Sequence, residues 1–135
     1  AVSKLTYAYA NATVPKVTVM LDKAYGTAYT VMCSKAIGAD VVFAWPKSVI
    51  GTMDPEMAVK IMYEDEIAAA GDKLAYIKEK KAEYTDALSG AVSAARRGYV
   101  DDIIEPDATR KRVIAALDML FSKSEDRPFK KHGTI

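Results

Sequence analysis

The sequence predicts an α/β fold with mainly parallel strands, helix-rich toward its C-terminal end. Two apolar runs, Val17-Thr18-Val19-Met20-Leu21 and Val41-Val42-Phe43-Ala44-Trp45, have the near-continuous hydrophobicity of strands buried on both faces. Helix-compatible stretches separate them, and strands alternating with helices build one layer of mainly parallel strands. Beyond residue 54 nearly all of the chain carries helical spacing. That imbalance predicts half of a fold, whose helices present apolar faces to a partner domain or subunit.

The elements follow in order. The chain opens inside a helical pattern, with Leu5, Ala8, Tyr9 and Ala12 on one face and neither a Met nor an N-cap before it. A fragment of something larger is the expectation. Pro15 precedes a strand over 16–21. Ala24-Tyr25-Gly26-Thr27-Ala28-Tyr29-Thr30 comes next, a glycine between two tyrosines where the chain passes from strand to helix. Such a turn leaves several backbone N–H groups pointing outward without partners. Taken alone, it reads as a strand-to-helix turn with no ligand, and its tyrosines as packing residues.

A short helix is predicted over 28–37, stopping near Gly38, then the second strand over 41–45 and a third over 48–53. Asp54-Pro55-Glu56 starts a helix over 55–70: an N-cap carboxylate, Pro at the first helical position and an acid in the first turn. The next helix, 72–88, has a narrow apolar stripe at 74, 77, 84 and 88, with the Lys81 stem filling the remaining place. Ser89-Gly90 ends it. Residues 99–104 read as a short strand or extended link. Asp107 is the expected cap of a last helix with Val113, Ile114, Leu117, Leu120 and Phe121 on one face. Residues 123–135 form a polar, extended tail.

The 135 residues suit one domain, and 50% hydrophobic with 27% charged residues is a globular composition. A net charge of +1 offers no field for nucleic acid or an anionic membrane. No apolar run reaches the length of a membrane span. One cysteine, Cys33, forms no internal disulfide; with no signal peptide the expectation is a reducing cytoplasm. Cys33 reads as a small buried hydrophobe. With one His, His132, about a hundred residues away, no metal site and no Cys/His pair are expected. Trp45-Pro46 reads as core and strand end, Asp101-Asp102 as a solvated edge, and His132 as part of a solvated or subunit-docking tail.

Five stretches in one order carry more. ATVPKVTV (12–19), KAYGTAYTVMCSK (23–35), VVFAWP (41–46), AARRGYVDDIIEP (94–106) and RPFKKHG (127–133) resemble the carboxyltransferase subunit of biotin-dependent acyl-CoA carboxylases and decarboxylases, of the propionyl-CoA carboxylase β and methylmalonyl-CoA decarboxylase α type. The resemblance covers essentially the whole chain, as the C-terminal end of a subunit several times longer. It implies a crotonase-type fold, ββα units coiled into a spiral, with residues 1–135 a partial carboxyltransferase C-terminal domain. It implies an enzyme that moves a carboxyl group between biotin N1′ and the α-carbon of a short acyl-CoA, in either direction. Its partners would be a biotin carboxyl carrier protein or domain, an N-terminal carboxyltransferase domain, and further copies in a trimer or hexamer.

The family's AYGGAY stretch supplies two consecutive backbone N–H groups that hold the ureido oxygen of biotin. Carried over by position, these are the N–H groups of Thr27 and Ala28, with Gly26 allowing close approach, Tyr25 and Tyr29 in contact roles and Thr30 beside the acyl substrate. Preorganised donors aimed at a developing oxyanion are usually the largest catalytic contribution, and no side-chain acid or base is needed. The sequence departs from the family pattern at Thr27, where a second glycine is usual; a β-branched residue there is costly if the turn needs φ > 0 at that position. Met53-Asp54-Pro55-Glu56-Met57 likewise lacks the glycines of the corresponding turn. The alternatives are a non-catalytic assembly subunit of the same fold, or another crotonase-type acyl-CoA enzyme such as a hydratase or isomerase. On every reading the chain alone is expected to be inactive, because it supplies half of a site.

Overall fold

The computed structural model describes residues 1–130 and Gly133. His132 and the rest of the tail's end lie outside the described residues. The first helix, α1 (Val2–Asn11), leads into β1 (Val17–Met20), β2 (Lys23–Tyr25) and α2 (Gly26–Val31). A 3₁₀ turn follows at Lys35–Ile37, then β3 (Val41–Ala44), β4 (Val49–Gly51) and α3 (Pro55–Met62). The order strand, strand, helix therefore occurs twice. The two units are stacked in register: β1 pairs parallel to β3, with Val17 opposite Val41, and β2 pairs parallel to β4, with Tyr25 opposite Gly51. A third turn begins after the helices, where β5 (Asp102–Ile103) adds parallel to β3 and completes the order β1-β3-β5. This is the expected spiral of ββα units.

Burial follows from the repeat. Val42 and Ala44 on the central strand are fully buried, among Met20, Cys33, Ile50, Ala91, Ala94 and Val100. Phe43, on the opposite face, packs with Ile104 and Ala116. A strand flanked on both faces has no use for alternating polar residues, which is why 41–45 reads as an unbroken apolar run.

Several predicted elements are reshaped. The helix expected over 55–70 is two, α3 and α4 (Glu64–Ala69), parted at Tyr63 with φ −121° and ψ 32°. The acids Glu64, Asp65 and Glu66 favour a new helix start. The break lets α4 meet α5 (Lys73–Tyr84), where Tyr76 hydrogen-bonds Glu66 and the Lys80 ammonium lies 5.6 Å from the Tyr63 ring centre. Asp72, where the sequence pattern starts this helix, caps α5, accepting from the N–H groups of Leu74 and Ala75, both at 3.1 Å. The last turn before Gly90 is a π-helix, Thr85–Ser89, with the Thr85 hydroxyl donating to the Lys81 carbonyl at 2.8 Å. Gly90 then bridges antiparallel to Val49 and opens α6 (Ala91–Arg96), a helix the sequence pattern does not announce.

The short helix expected over 28–37 starts earlier and breaks at Cys33, which is buried as predicted but sits at φ +59°. The Cys33 carbonyl there accepts the Thr18 hydroxyl at 2.8 Å. Asp107 does not cap the last helix; it lies in a 3₁₀ turn, Pro106–Ala108, and α7 (Thr109–Met119) starts at Thr109, whose hydroxyl accepts the Trp45 indole N–H at 2.9 Å. Only part of the predicted α7 face is turned inward. Val113 and Ala116 pack on the sheet, while Ile114, Leu117 and Phe121 are exposed.

Asp101 lies at an exposed edge, as expected, but it also has a structural partner. Its carboxylate accepts the buried Val42 N–H at 2.8 Å and the Lys35 ammonium at 2.6 Å, which fastens the chain beside β3. The ammonium of Lys16, a buried residue, donates to the last carbonyls of α1, Tyr9 at 3.1 Å and Ala12 at 3.0 Å. Asp40 accepts the Lys16 backbone N–H at 2.7 Å and the Lys123 ammonium at 2.8 Å, so the start of the tail is held against the first strand's entry.

Candidate functional site

The predicted site residues fall at the junction of β2 and α2. Tyr25 closes β2 and is the N-cap of α2, with φ −140° and ψ 164° and no side-chain cap. Gly26, the first helical residue, has φ +66°. The left-handed conformation therefore lies at the glycine, and Thr27 is an ordinary helical residue without positive φ. The strain expected of a β-branched residue in this turn does not arise. A Cβ placed on Gly26 would have the Thr52 carbonyl oxygen as its neighbour, at 3.7 Å.

Thr27 and Ala28 are exposed at the start of the helix. Among the described residues, neither backbone N–H has a hydrogen-bond acceptor. Two adjacent donors are thus free at one surface, as the first turn of a helix leaves them. Thr30 follows one turn on; its hydroxyl turns back to the Gly26 carbonyl at 3.4 Å. A groove of about 840 Å³ runs from Ala28 and Tyr29 along the open edge of β1, past Met32, Cys33 and Tyr9.

The two tyrosines are held by different neighbours. Tyr29 packs against the main core, and burial, followed by the Tyr99 hydroxyl, raises its pKa above the usual phenol value. For Tyr25, the Asp54 carboxylate, and after it burial, raises the pKa. Asp54 is also the predicted N-cap of α3 and accepts the Glu56 N–H at 3.2 Å. Glu56 in turn holds Lys60 at 2.8 Å and Lys81 at 3.2 Å; the Lys60 ammonium first, and then that of Lys81, lower its pKa. Asp54 was legible as a helix cap, but no local signal joins residue 54 to residue 25. The parallel pairing of β2 with β4 does that, by bringing Tyr25 opposite Gly51.

Chemically, the turn is an acceptor-seeking surface. It offers two adjacent N–H donors and a glycine in place of a bulky neighbour. Such an arrangement stabilises negative charge on an oxygen and moves no proton itself. Among the described residues no group of three or more His, Cys, Asp or Glu side chains is placed to hold a metal ion, and no helix is long and apolar enough to cross a membrane.

Comparison with known proteins gives this turn its context. The methylmalonyl-CoA decarboxylase subunit alpha of Propionigenium modestum is 51% identical over 133 residues, which cover 98% of this chain and 26% of that protein. The propionyl-CoA carboxylase carboxyltransferase subunit of Haloferax mediterranei is 53% identical, with the same coverage of each chain. Among solved structures, the transcarboxylase 12S hexamer with methylmalonyl-coenzyme A and methylmalonic acid bound superposes with a TM-score of 0.91 at 47% identity, again over 98% of this chain and 26% of the other. The Pseudomonas aeruginosa geranyl-CoA carboxylase beta subunit superposes with a TM-score of 0.70 at 27% identity, over 99% of this chain and 26% of that one. The chain thus spans about a quarter of the length of the relatives it matches. The family described as the carboxyl transferase domain matches residues 1–135 without remainder. With the stacked ββα units in place, the chain belongs to the carboxyl transferase domain family, and its fold is the crotonase-like spiral of that family.

Proposed function

We propose that this chain is the biotin-side half of an acyl-CoA carboxyltransferase site. The observation that carries the reading is the Gly26 turn, with φ +66° and two adjacent, exposed and unpartnered N–H groups on Thr27 and Ala28. A ureido oxygen fits this turn on the chain's own terms. It accepts two hydrogen bonds, carries no proton to dispute them, and needs the close approach that a missing Cβ allows. Biotin, when bound, would carry the carboxyl group on N1′.

Thr27 and Ala28 would bind the ureido oxygen and oppose the negative charge that develops there as the carboxyl group leaves or arrives. Gly26 would set the distance, Tyr25 and Tyr29 would wall the site, and Thr30 would lie toward the acyl-CoA. The matching donors for the thioester oxygen would come from an N-terminal carboxyltransferase domain. The remaining partners would be a biotin carboxyl carrier protein or domain and further copies of the subunit, in the cytoplasm, with residues 1–135 forming one partial domain and 123–135 its tail. The alternative of a non-catalytic assembly subunit drew its support from Thr27, and that support is weakened now that the positive φ falls on Gly26.

The test is transfer of the carboxyl group from methylmalonyl-CoA to free biotin by the longer protein that carries both halves of the site. Gly26→Asp puts a carboxylate beside the donors and is expected to lower kcat by about 10²–10³-fold, the usual loss when one oxyanion donor fails. An unchanged rate would remove the turn from the mechanism. Hydration of an enoyl-CoA without biotin would favour the hydratase alternative.

A further inference from the structure

The stretch RPFKKHG (127–133) has no part in the Gly26 turn, and its described residues lie against the other end of the chain. From Lys123 to Lys130 the backbone is neither helix nor strand, and it passes antiparallel along α1. The Lys123 ammonium donates to the Val14 carbonyl at 3.3 Å, and the Arg127 guanidinium donates to the Ala10 carbonyl. Further on, a Cβ placed on Gly133 would lie 3.3 Å from the Tyr7 ring. Ion pairs fix this course. The Lys123 side chain, only 14% exposed, holds Asp40 at 2.8 Å, and Glu125 lies 3.5 Å from Lys123 and 2.5 Å from Arg127.

The helix under this segment is poorly supported by its own residues. α1 buries none of them, has no side-chain N-cap, and carries no acid in its first turn and no base in its last. A helix of 10 residues with such ends is marginal in water. Its final carbonyls are met largely from outside: Tyr9 and Ala12 by the Lys16 ammonium, and Ala10 by Arg127. Two cations from elsewhere in the chain thus complete the negative end of a helix that has none of its own.

We propose that the segment from Lys123 to Lys130 is a strap that closes the C-terminal end of α1 and holds that helix as one wall of the groove beginning at Ala28 and Tyr29. Tyr9 and Ala12, at the strapped end of α1, line that groove. Without the strap, α1 keeps Lys16 as its one cationic cap and opens more often as a local unit. The strap does not depend on what the Gly26 turn binds.

Three forms of the chain test it. Arg127→Met keeps the stem and removes the charge and the donors, Arg127→Lys keeps a cation and a donor, and a shortened chain ends at residue 126. Hydrogen exchange read by mass spectrometry over 2–12 is expected to run about tenfold faster in Arg127→Met and in the shortened chain, the effect of losing one charge-assisted hydrogen bond. Exchange over 41–44, in the core, is expected to keep the parent rate, which separates release of α1 from a general loss of stability. Arg127→Lys is expected to restore at least half of the lost protection. Parent-like exchange over 2–12 in the shortened chain, equal acceleration over 2–12 and 41–44, or an Arg127→Lys chain as loose as Arg127→Met would each overturn the strap. The groove is read separately: the dye anilinonaphthalene sulfonate brightens on exposed apolar surface, and its fluorescence is expected to rise about twofold in the shortened chain. An unchanged dye signal beside faster exchange would overturn the role of α1 as a wall of the groove.

Discussion

Replacing Gly26 with alanine tests the backbone argument apart from any ligand. The residue sits at φ +66°, in the left-handed region, where an L-residue other than glycine costs roughly 1–2 kcal/mol. The added Cβ contributes no clash, since its neighbour would be the Thr52 carbonyl oxygen at 3.7 Å, an ordinary contact. Removing glycine's freedom from the unfolded chain returns about 0.4–1 kcal/mol. The difference leaves a net loss of about 1 kcal/mol, or about 3–5 °C in Tm for a domain of this size. Calorimetry of the parent and the variant measures the shift. Gly26→Asn is the control, because asparagine visits the left-handed region more readily than alanine and its Tm is expected to fall less. An alanine variant as stable as the parent, or an asparagine variant that loses as much as the alanine one, would show that the turn does not depend on positive φ.

Two further outcomes concern the framework. Asp101→Ala leaves the buried Val42 N–H without its acceptor and is expected to cost about 1–3 kcal/mol in urea denaturation. Lys35→Met removes the partly exposed ion pair to Asp101 and a hydrogen bond to the Asp40 carbonyl at 3.1 Å, but leaves the Val42 N–H its acceptor; it is expected to cost about 1 kcal/mol or less, so a loss equal to that of Asp101→Ala would refute the assignment of the carboxylate to the backbone. For Asp40, burial works to raise the pKa, but the Lys123 hydrogen bond, the Lys16 backbone N–H and the two ammonium charges outweigh it and hold the carboxyl below its ordinary value. A depressed folded-state pKa contributes stability above the unfolded value, near ~4, and that contribution is lost as pH falls through the folded value. Asp40→Asn should therefore flatten the acid limb of stability against pH, and an unchanged limb would contradict the assignment. Lys123 behaves oppositely: its pKa is raised chiefly by the hydrogen bond to Asp40, so its contribution is full below the ordinary ammonium value and fades as pH rises through the raised one.

The parts of the fold that were legible are those governed by local chemistry. Strands 17–20 and 41–44 announced themselves because burial on both faces demands unbroken apolar runs. Asp54 and Asp72 announced helix starts because a carboxylate satisfies N–H groups two or three residues away. β2 was not legible: Lys23-Ala24-Tyr25 has no strand pattern, and its extended form follows from pairing with β4. The break at Tyr63 and the bend at Cys33 were not legible either. At each, a neighbour distant in sequence makes a contact, Lys80 over the Tyr63 ring and Thr18 with the Cys33 carbonyl.

The same division runs through the candidate site. By itself the sequence determined the two apolar strands, the family word at 23–35 and the glycine at position 26, since each is written in consecutive residues. Which residue carries the positive φ, that Thr27 escapes it, and that Asp101 serves a buried amide were decided by the tertiary structure. These depend on strand register and on the stacking of one unit on the next. A hydrogen-bond partner 59 residues away, as Asp101 is from Val42, leaves no periodicity or local propensity from which it could be read.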